Sequence, residues 1–193
     1  MAASPQPHLT PEQYLELERA SDVRHEYYRG EIFAMADGSF RHAVVIQNIA
    51  GELRNSLKQR PCVVMTSDMR VRVRVDGLYT YPDIVVVCDP PKFGDNRTDT
   101  LLNPALVVEV LCPSTAAHDR GFKFAQYRLI EGLQEYVLAS PSEARVEVFR
   151  RQADGSWLMT EALGLDTLCE FQSVGCSIPL AEIYDKVSFG DPA

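Results

Sequence analysis

Apolar and polar positions change period several times along the chain, and each change predicts an element. Thr10-Pro11-Glu12-Gln13 reads as a helix start. Thr10 is the N-cap, Pro11 takes the first helical position, Gln13 completes a capping box, and Leu9 and Tyr14 are spaced for a hydrophobic staple. This helix is predicted to end near Ala20. Residues 25–28 and 31–35 then alternate around Arg29-Gly30, where glycine permits the positive φ of a tight turn, which predicts a hairpin. From residue 42 to 57 the period lengthens: Ile46, Ile49, Leu53 and Leu57 recur at three- and four-residue steps, with Gln47, Asn48, Glu52 and Asn55 on the other side. That spacing belongs to an amphipathic helix.

Residues 62–65 and 69–75 read as extended chain with a break near Ser67-Asp68, followed by a turn at Asp76-Gly77. Two short apolar runs come next, at residues 84–88 and 106–111, and their lack of alternation marks strands covered on both faces. The Pro-, Asp-, Asn- and Gly-rich segment 89–104 between them is predicted as a long loop. A helix over 119–130, strands at 135–139, 145–151 and 157–162, and a short helix from Leu180 complete the series. Neither an internal repeat nor a linker interrupts it. Helix, strands, helix, strands in this order predict one α/β (α+β) sheet domain with helices packed on it, and 193 residues match one such domain.

Composition narrows the class. Hydrophobic residues at 46% and charged residues at 24% exclude disorder and low-complexity scaffolding. Five cysteines, Cys62, Cys88, Cys112, Cys169 and Cys176, are odd in number and include no C-x-x-C pair, so neither a disulfide framework nor a zinc knuckle is expected, and a reducing cytosol fits. The first ten residues lack the pattern of an export signal, and no apolar stretch approaches the roughly 18 residues of a membrane span. A cytoplasmic protein without membrane contact is the expectation. The net charge of −8 opposes loose binding to nucleic acid. It is unevenly spread, however: residues 51–75 hold six basic groups against two acidic ones, so a local basic face survives.

Two carboxylates stand out against this pattern. In a strand, alternate residues share a face, so Asp83 points the same way as Val85 and Val87, and Glu109 the same way as Val107 and Leu111. Burying an ionised carboxylate costs several kcal/mol unless a cation or hydrogen-bond donors compensate. The bland alternatives are that Asp83 merely starts its strand after Pro82 and that Glu109 pairs with an arginine. If the strands are neighbours, both acids can converge on a hard divalent cation, Mg²⁺ or Mn²⁺, for which oxygen ligands are suited. Lys123, in the following helix, can then orient water or stabilise phosphate charge, or be a solvated helix lysine. His42 is a proton carrier, a ligand or a surface residue, and Glu31 a further acid or a polar hairpin residue. Arg70, Arg72 and Arg74 share one strand face, which can track a phosphate backbone or face solvent on an edge strand. Ser114, His118 and Asp119 lie too close in sequence, in a turn and a helix cap, to act as a nucleophilic triad.

Tyr81-Pro82-Asp83, then Glu109-Val110-Leu111-Cys112-Pro113-Ser114, then Asp119-Arg120 and Lys123 to Tyr127, with His25-Glu26-Tyr27 and Gly30-Glu31 upstream, resemble the Uma-two family of restriction-endonuclease-like proteins. That family is similar in fold to the PD-(D/E)XK nucleases, and the resemblance spans about residues 9–187. It implies a mixed central sheet flanked by helices, with an N-terminal helix and hairpin and additional C-terminal strands. It also implies metal ligands at Asp83, Glu109 and the Val110 carbonyl, and cleavage of DNA phosphodiesters. The lysine expected two residues after the glutamate is replaced by Leu111, and Lys123 stands in for it. A homodimer is expected, because paired cuts across a duplex suit two-fold symmetry. The competing class is a non-catalytic nuclease-fold module that binds a protein or nucleic-acid partner.

Overall fold

The computed structural model describes residues 8–35, 38–75 and 77–190. Helix α1 (Pro11–Ala20) starts as its sequence dictates: Thr10 Oγ1 accepts from the Gln13 amide while the Gln13 side chain accepts from the Thr10 amide. Leu9 packs against a cluster of Tyr14, Tyr27 and Tyr79, which fixes the helix on the hairpin β1 (His25–Tyr28) and β2 (Glu31–Ala34). The hairpin turn has φ of 48° at Arg29 and 97° at Gly30, the paired positive values that match the twist of tightly joined strands. Helix α2 (Phe40–Ser56) begins two residues before the predicted start, because Ser39 caps it and accepts from the His42 amide.

The next strands are β3 (Val63–Thr66), β4 (Arg70–Arg72), β5 (Leu78–Thr80), β6 (Ile84–Val87), β7 (Thr100–Leu101) and β8 (Leu106–Val110). The predicted turn at Asp76-Gly77 lies partly outside the described residues, as do residues 1–7 of the N-terminal segment. A helical segment follows in three pieces: α3 (Ala116–His118), a π turn (Asp119–Lys123) and α4 (Phe124–Tyr127). Strands β9 (Glu135–Ala139), β10 (Arg145–Arg151), β11 (Trp157–Leu163), β12 (Leu168–Phe171) and β13 (Cys176–Pro179), then helix α5 (Leu180–Ile183), close the chain. Among the described residues, no helix is long and apolar enough to cross a membrane.

The strands form a six-stranded sheet, β11-β10-β9-β8-β6-β3, a five-stranded sheet, β2-β1-β5-β4-β7, and the β12-β13 hairpin. Both larger sheets are mixed: β8 runs parallel to β9, and β4 parallel to β7. The two apolar runs are adjacent central strands, as their double-sided character requires. Ile84, Val86, Leu106, Val108 and Val110 face α2, α5 and the C-terminal hairpin. Val85, Val87, Val107 and Leu111 face Tyr127, Ile130 and Leu133 on the opposite side.

Several expectations need correction. The segment 89–104 is not only loop, since Thr100–Leu101 pairs in parallel with β4. The strands at 78–80, 168–171 and 176–179 were not predicted. The strand expected over 69–75 ends at Arg72, and the helix expected over 119–130 begins at Ala116 and is interrupted by the π turn. Cys62 and Cys88 form a disulfide: the β3–β6 register pairs Val63 with Val87, so the cysteines meet one step beyond, with Cα atoms 3.9 Å apart. Cysteine usage therefore no longer argues for a reducing cytosol.

Candidate active site

Antiparallel pairing of Ile84 with Val108 continues one step outward and sets Asp83 opposite Glu109. Asp83 Oδ2 accepts the Val110 amide at 2.7 Å, which holds the carboxylate against the neighbouring strand. Glu109 is only 4% exposed, on the face that also carries Val107 and Leu111. Two side chains meet it there: the Lys123 ammonium at 3.1 Å and the Tyr127 hydroxyl, which donates at 2.8 Å, both to Oε1.

The π turn determines how Lys123 arrives. The Phe124 amide reaches back five residues to the Asp119 carbonyl, the widened ring of a π turn, a feature frequent at functional sites. Asp119 and Lys123 thereby lie on one face, 3.7 Å apart, and Thr115 donates a hydroxyl to Asp119. From the hairpin comes a fourth acid, Glu26, whose Oε1 lies 3.0 Å from Lys123 Nζ and also takes the Thr80 hydroxyl. His42, in the first turn of α2, puts Nε2 3.4 Å from Asp83 Oδ2 and also bonds the Val110 carbonyl. These groups line one cavity of about 410 Å³.

Electrostatics follow from crowding. Burial lifts the Glu109 carboxyl to about 8, and Asp83, Asp119 and Glu26 add to the rise against the opposing pull of Lys123. Lys123 moves the same way for a different reason: burial opposes its charge, but Glu109, Glu26 and Asp119 outweigh burial and hold it protonated. The two shifts are compatible, because one ammonium cannot neutralise four acids. Burial also opposes charge on His42, yet Asp83, the Val110 carbonyl and Glu109 together raise its pKa.

This donor set fits a hard divalent cation by its chemistry: four carboxylates and a main-chain carbonyl, with one ammonium among them. In the present arrangement the acids are drawn onto Lys123 and His42. Among the described residues, no three His, Cys, Asp or Glu side chains are grouped to hold a metal. Ligation therefore requires Asp83 or Glu109 to exchange one of these contacts for the ion.

A family model described as "Putative restriction endonuclease" matches residues 11–181. The chain belongs to the Uma2 (Uma-two) family. Two relatives are found in Synechocystis sp.. The chain is 36% identical to the uncharacterized protein slr1290 over 97% of both chains, and 36% identical to the uncharacterized protein sll1609 over 84% of this chain and 92% of that one. Its fold is shared with a protein of Anabaena variabilis whose structure is titled as a "putative nuclease belonging to DUF820". The TM-score is 0.75 and the identity 19%, over 93% of this chain and 99% of the other.

Of the residues singled out in this Uma2 sequence, the fold brings together Asp83, Glu109, Val110, Lys123 and His42. Glu31 is not among them: it is exposed on β2, opposite Tyr28 at the turn end of the hairpin, beyond the cavity lining. Glu31 is thus a polar hairpin residue, one of the two readings given for it, and Glu26 is the hairpin acid that reaches the cavity. Strand alternation contained part of that signal, since Tyr27 belongs to the tyrosine cluster and Glu26 and Tyr28 must face the other way, but Glu31 pairs with Tyr28 and shares that face.

The arginine stripe is also corrected. Arg70 is 2% exposed, donates Nε to Thr100 and Nη1 to Tyr81, and sets Nη2 3.1 Å from Asp99 but outside hydrogen-bond geometry. It has no free face for a phosphate. Strand β4 lies between β5 and β7 rather than at an edge and ends at Arg72, so Arg74 does not continue its face. In the rejected triad, His118 lies against the Phe122 ring and Asp119 is bonded to Thr115.

Proposed function

We propose that this Uma2 protein is a divalent-metal-dependent nuclease that hydrolyses DNA phosphodiester bonds. The observation that carries the reading is the convergence in one cavity of Glu26, Glu109 and Asp119 around Lys123, with Asp83 opposite Glu109 and paired with His42. Asp83, Glu109 and the Val110 carbonyl would hold Mg²⁺ or Mn²⁺. When bound, the ion supplies Lewis-acid stabilisation of the charge that grows on the phosphate.

The chain's own residues do the rest. The Val110 amide orients Asp83, and the Tyr127 hydroxyl fixes Glu109. Glu26 and Asp119 hold the Lys123 ammonium where it can orient the attacking water, as the missing E-x-K lysine would from the strand. His42, beside Asp83, is placed to carry a proton at Nε2.

A second reading, a non-catalytic nuclease-fold module that binds a protein or nucleic-acid partner, draws support from the engagement of the acids by Lys123 and His42, with no group of acids or histidines placed to hold a metal among the described residues. Cleavage assays with Mg²⁺ at low salt on duplex, single-stranded and branched DNA separate the two. Wild type should cleave at least one of these forms, and Asp83→Asn none. Lys123→Ala should be slower by about 100-fold or more while still binding Mn²⁺. Absence of metal-dependent cleavage on duplex, single-stranded and branched DNA would favour the module.

A further inference from the structure

The walls of the cavity differ from its polar centre. Phe33 and Glu26 are cross-strand partners in the hairpin, so the Phe33 ring, 49% exposed, stands directly beside an acid of the cluster. Phe122, adjacent to Lys123 in sequence, faces the same space. Its ring meets Tyr28 edge-on at 4.7 Å and His118 at 4.8 Å, which holds it in place. Aromatic rings therefore flank the carboxylates from the hairpin and from the helical segment.

Cations are scarce here. Among the described residues, Lys123 is the one Lys or Arg that lines the cavity, and it already contacts three carboxylates. Duplex DNA is held chiefly by cations that neutralise successive phosphates, and these walls offer no track of them. Of the arginine stripe, Arg70 is buried and bonded to Tyr81 and Thr100, and none of the three arginines lines this cavity. Stacking on aromatic rings adds affinity for unpaired bases beyond what phosphate contacts supply, and it tolerates any base. In a duplex each base is covered on both faces by its neighbours, so a protein ring can engage only a base that has left the stack. The acids are also recessed: Glu109 and Asp119 are each 4% exposed.

We infer that the cleft takes an unpaired nucleotide whose base stacks on Phe33 and Phe122, and that single-stranded DNA is the substrate form. This inference rests on the nuclease reading and names its substrate. It also removes the geometric reason to expect a two-fold dimer cutting both strands.

The test is binding of a single-stranded oligonucleotide carrying 2-aminopurine, compared with a blunt duplex of the same sequence. Ca²⁺ replaces Mg²⁺ to suppress cleavage, and anisotropy and 2-aminopurine fluorescence are read together. Wild type should bind the single strand at least tenfold more tightly than the duplex, with a fluorescence change that reports stacking. Phe122→Leu and Phe33→Leu should each weaken single-strand binding about fivefold or more and diminish that change. The exposed position of Phe33 keeps the test valid even if Phe122→Leu disturbs the fold. Equal or tighter duplex binding, or an unchanged fluorescence response in Phe33→Leu, would overturn the inference. Duplex nicking that is lost in Asp83→Asn, without single-strand preference, would overturn it while leaving the nuclease reading intact. Ring-dependent single-strand binding with no cleavage of any DNA would overturn the nuclease reading, and with it the substrate claim, and leave only the stacking of an unpaired base in the cleft.

Discussion

Two of the polar clusters in largely buried surroundings, one beneath α1 and one around Lys123, are built to opposite ends. In the cluster beneath α1, Glu18 accepts from the Tyr81 hydroxyl, the His25 amide and the His25 ring, while Tyr81 in turn accepts from Arg70. Arg19 spans Asp95 and Asp99, and Asp99 also faces Arg70. Three carboxylates thus meet two guanidinium groups and an imidazole, and the network ties α1 to β1, β4 and β7. Around Lys123, four carboxylates share one ammonium and one imidazole and open onto a cavity. The first cluster is nearly closed on itself and fixes geometry. The second holds four acids against two bases, enough that crowding adds to the burial that keeps a proton on Glu109, and it opens onto a cavity where a ligand can reach them, a pattern that points toward a functional site.

The comparison can be broken or sharpened by substitution. The largest effect should come from the closed cluster. Arg70→Leu strands the partners of a buried guanidinium and should cost about 3 kcal/mol in urea unfolding, near the low end for a broken buried pair because Asp99 keeps access to water. Asp83→Asn in the open cluster should instead be neutral or stabilising in the absence of metal, since it removes one of four crowded acids. A loss as large as that of Arg70→Leu would erase the distinction. Next in size is the effect of Lys123→Ala on hydrolysis, about 100-fold, equivalent to about 2.7 kcal/mol of transition-state stabilisation. Cleavage at the wild-type rate would remove the lysine from the chemistry.

A smaller effect concerns pH. Glu109 is held at about 8 against an ordinary 4.5, so between these values the folded protein keeps a proton that the unfolded chain has lost. Stability in chelator should therefore fall as pH rises from about 4.5 through 8. Glu109→Gln should flatten that slope and gain at least about 1 kcal/mol above pH 8; an unchanged slope would show that Glu109 is not the source. The smallest effect belongs to Arg19→Ala, which should cost under about 1 kcal/mol, because its contacts with Asp95 and Asp99 are partly exposed and screened.

Much of this was legible before the fold was known, for identifiable reasons. Unbroken apolar runs at 84–88 and 106–111 announced strands covered on both faces, and the alternation within them already aimed Asp83 and Glu109 the same way. Gly30 marked the hairpin turn. What stayed hidden depends on partners distant in sequence. Arg70 and Arg72 alternate like a solvent-facing edge, and only Tyr81, Thr100 and Asp99 reveal that Arg70 is buried. Glu26 and Glu31 look alike on a hairpin, and the docking of the helical segment decides which one meets Lys123. The pairing of Cys62 with Cys88 needs the register of strands whose cysteines are 26 residues apart. The π turn that delivers Lys123 has no simple signature in a helical stretch.

The central claim is that the surplus acids form a divalent-metal site, and titration calorimetry with Mn²⁺ on wild type, Asp83→Asn, Glu109→Gln and Arg70→Lys tests it most directly. The account predicts one site in the wild type, an affinity at least tenfold weaker in each of the two acid variants, and no change in Arg70→Lys, whose cluster lies outside the cavity. Unchanged Mn²⁺ affinity in both Asp83→Asn and Glu109→Gln would contradict it.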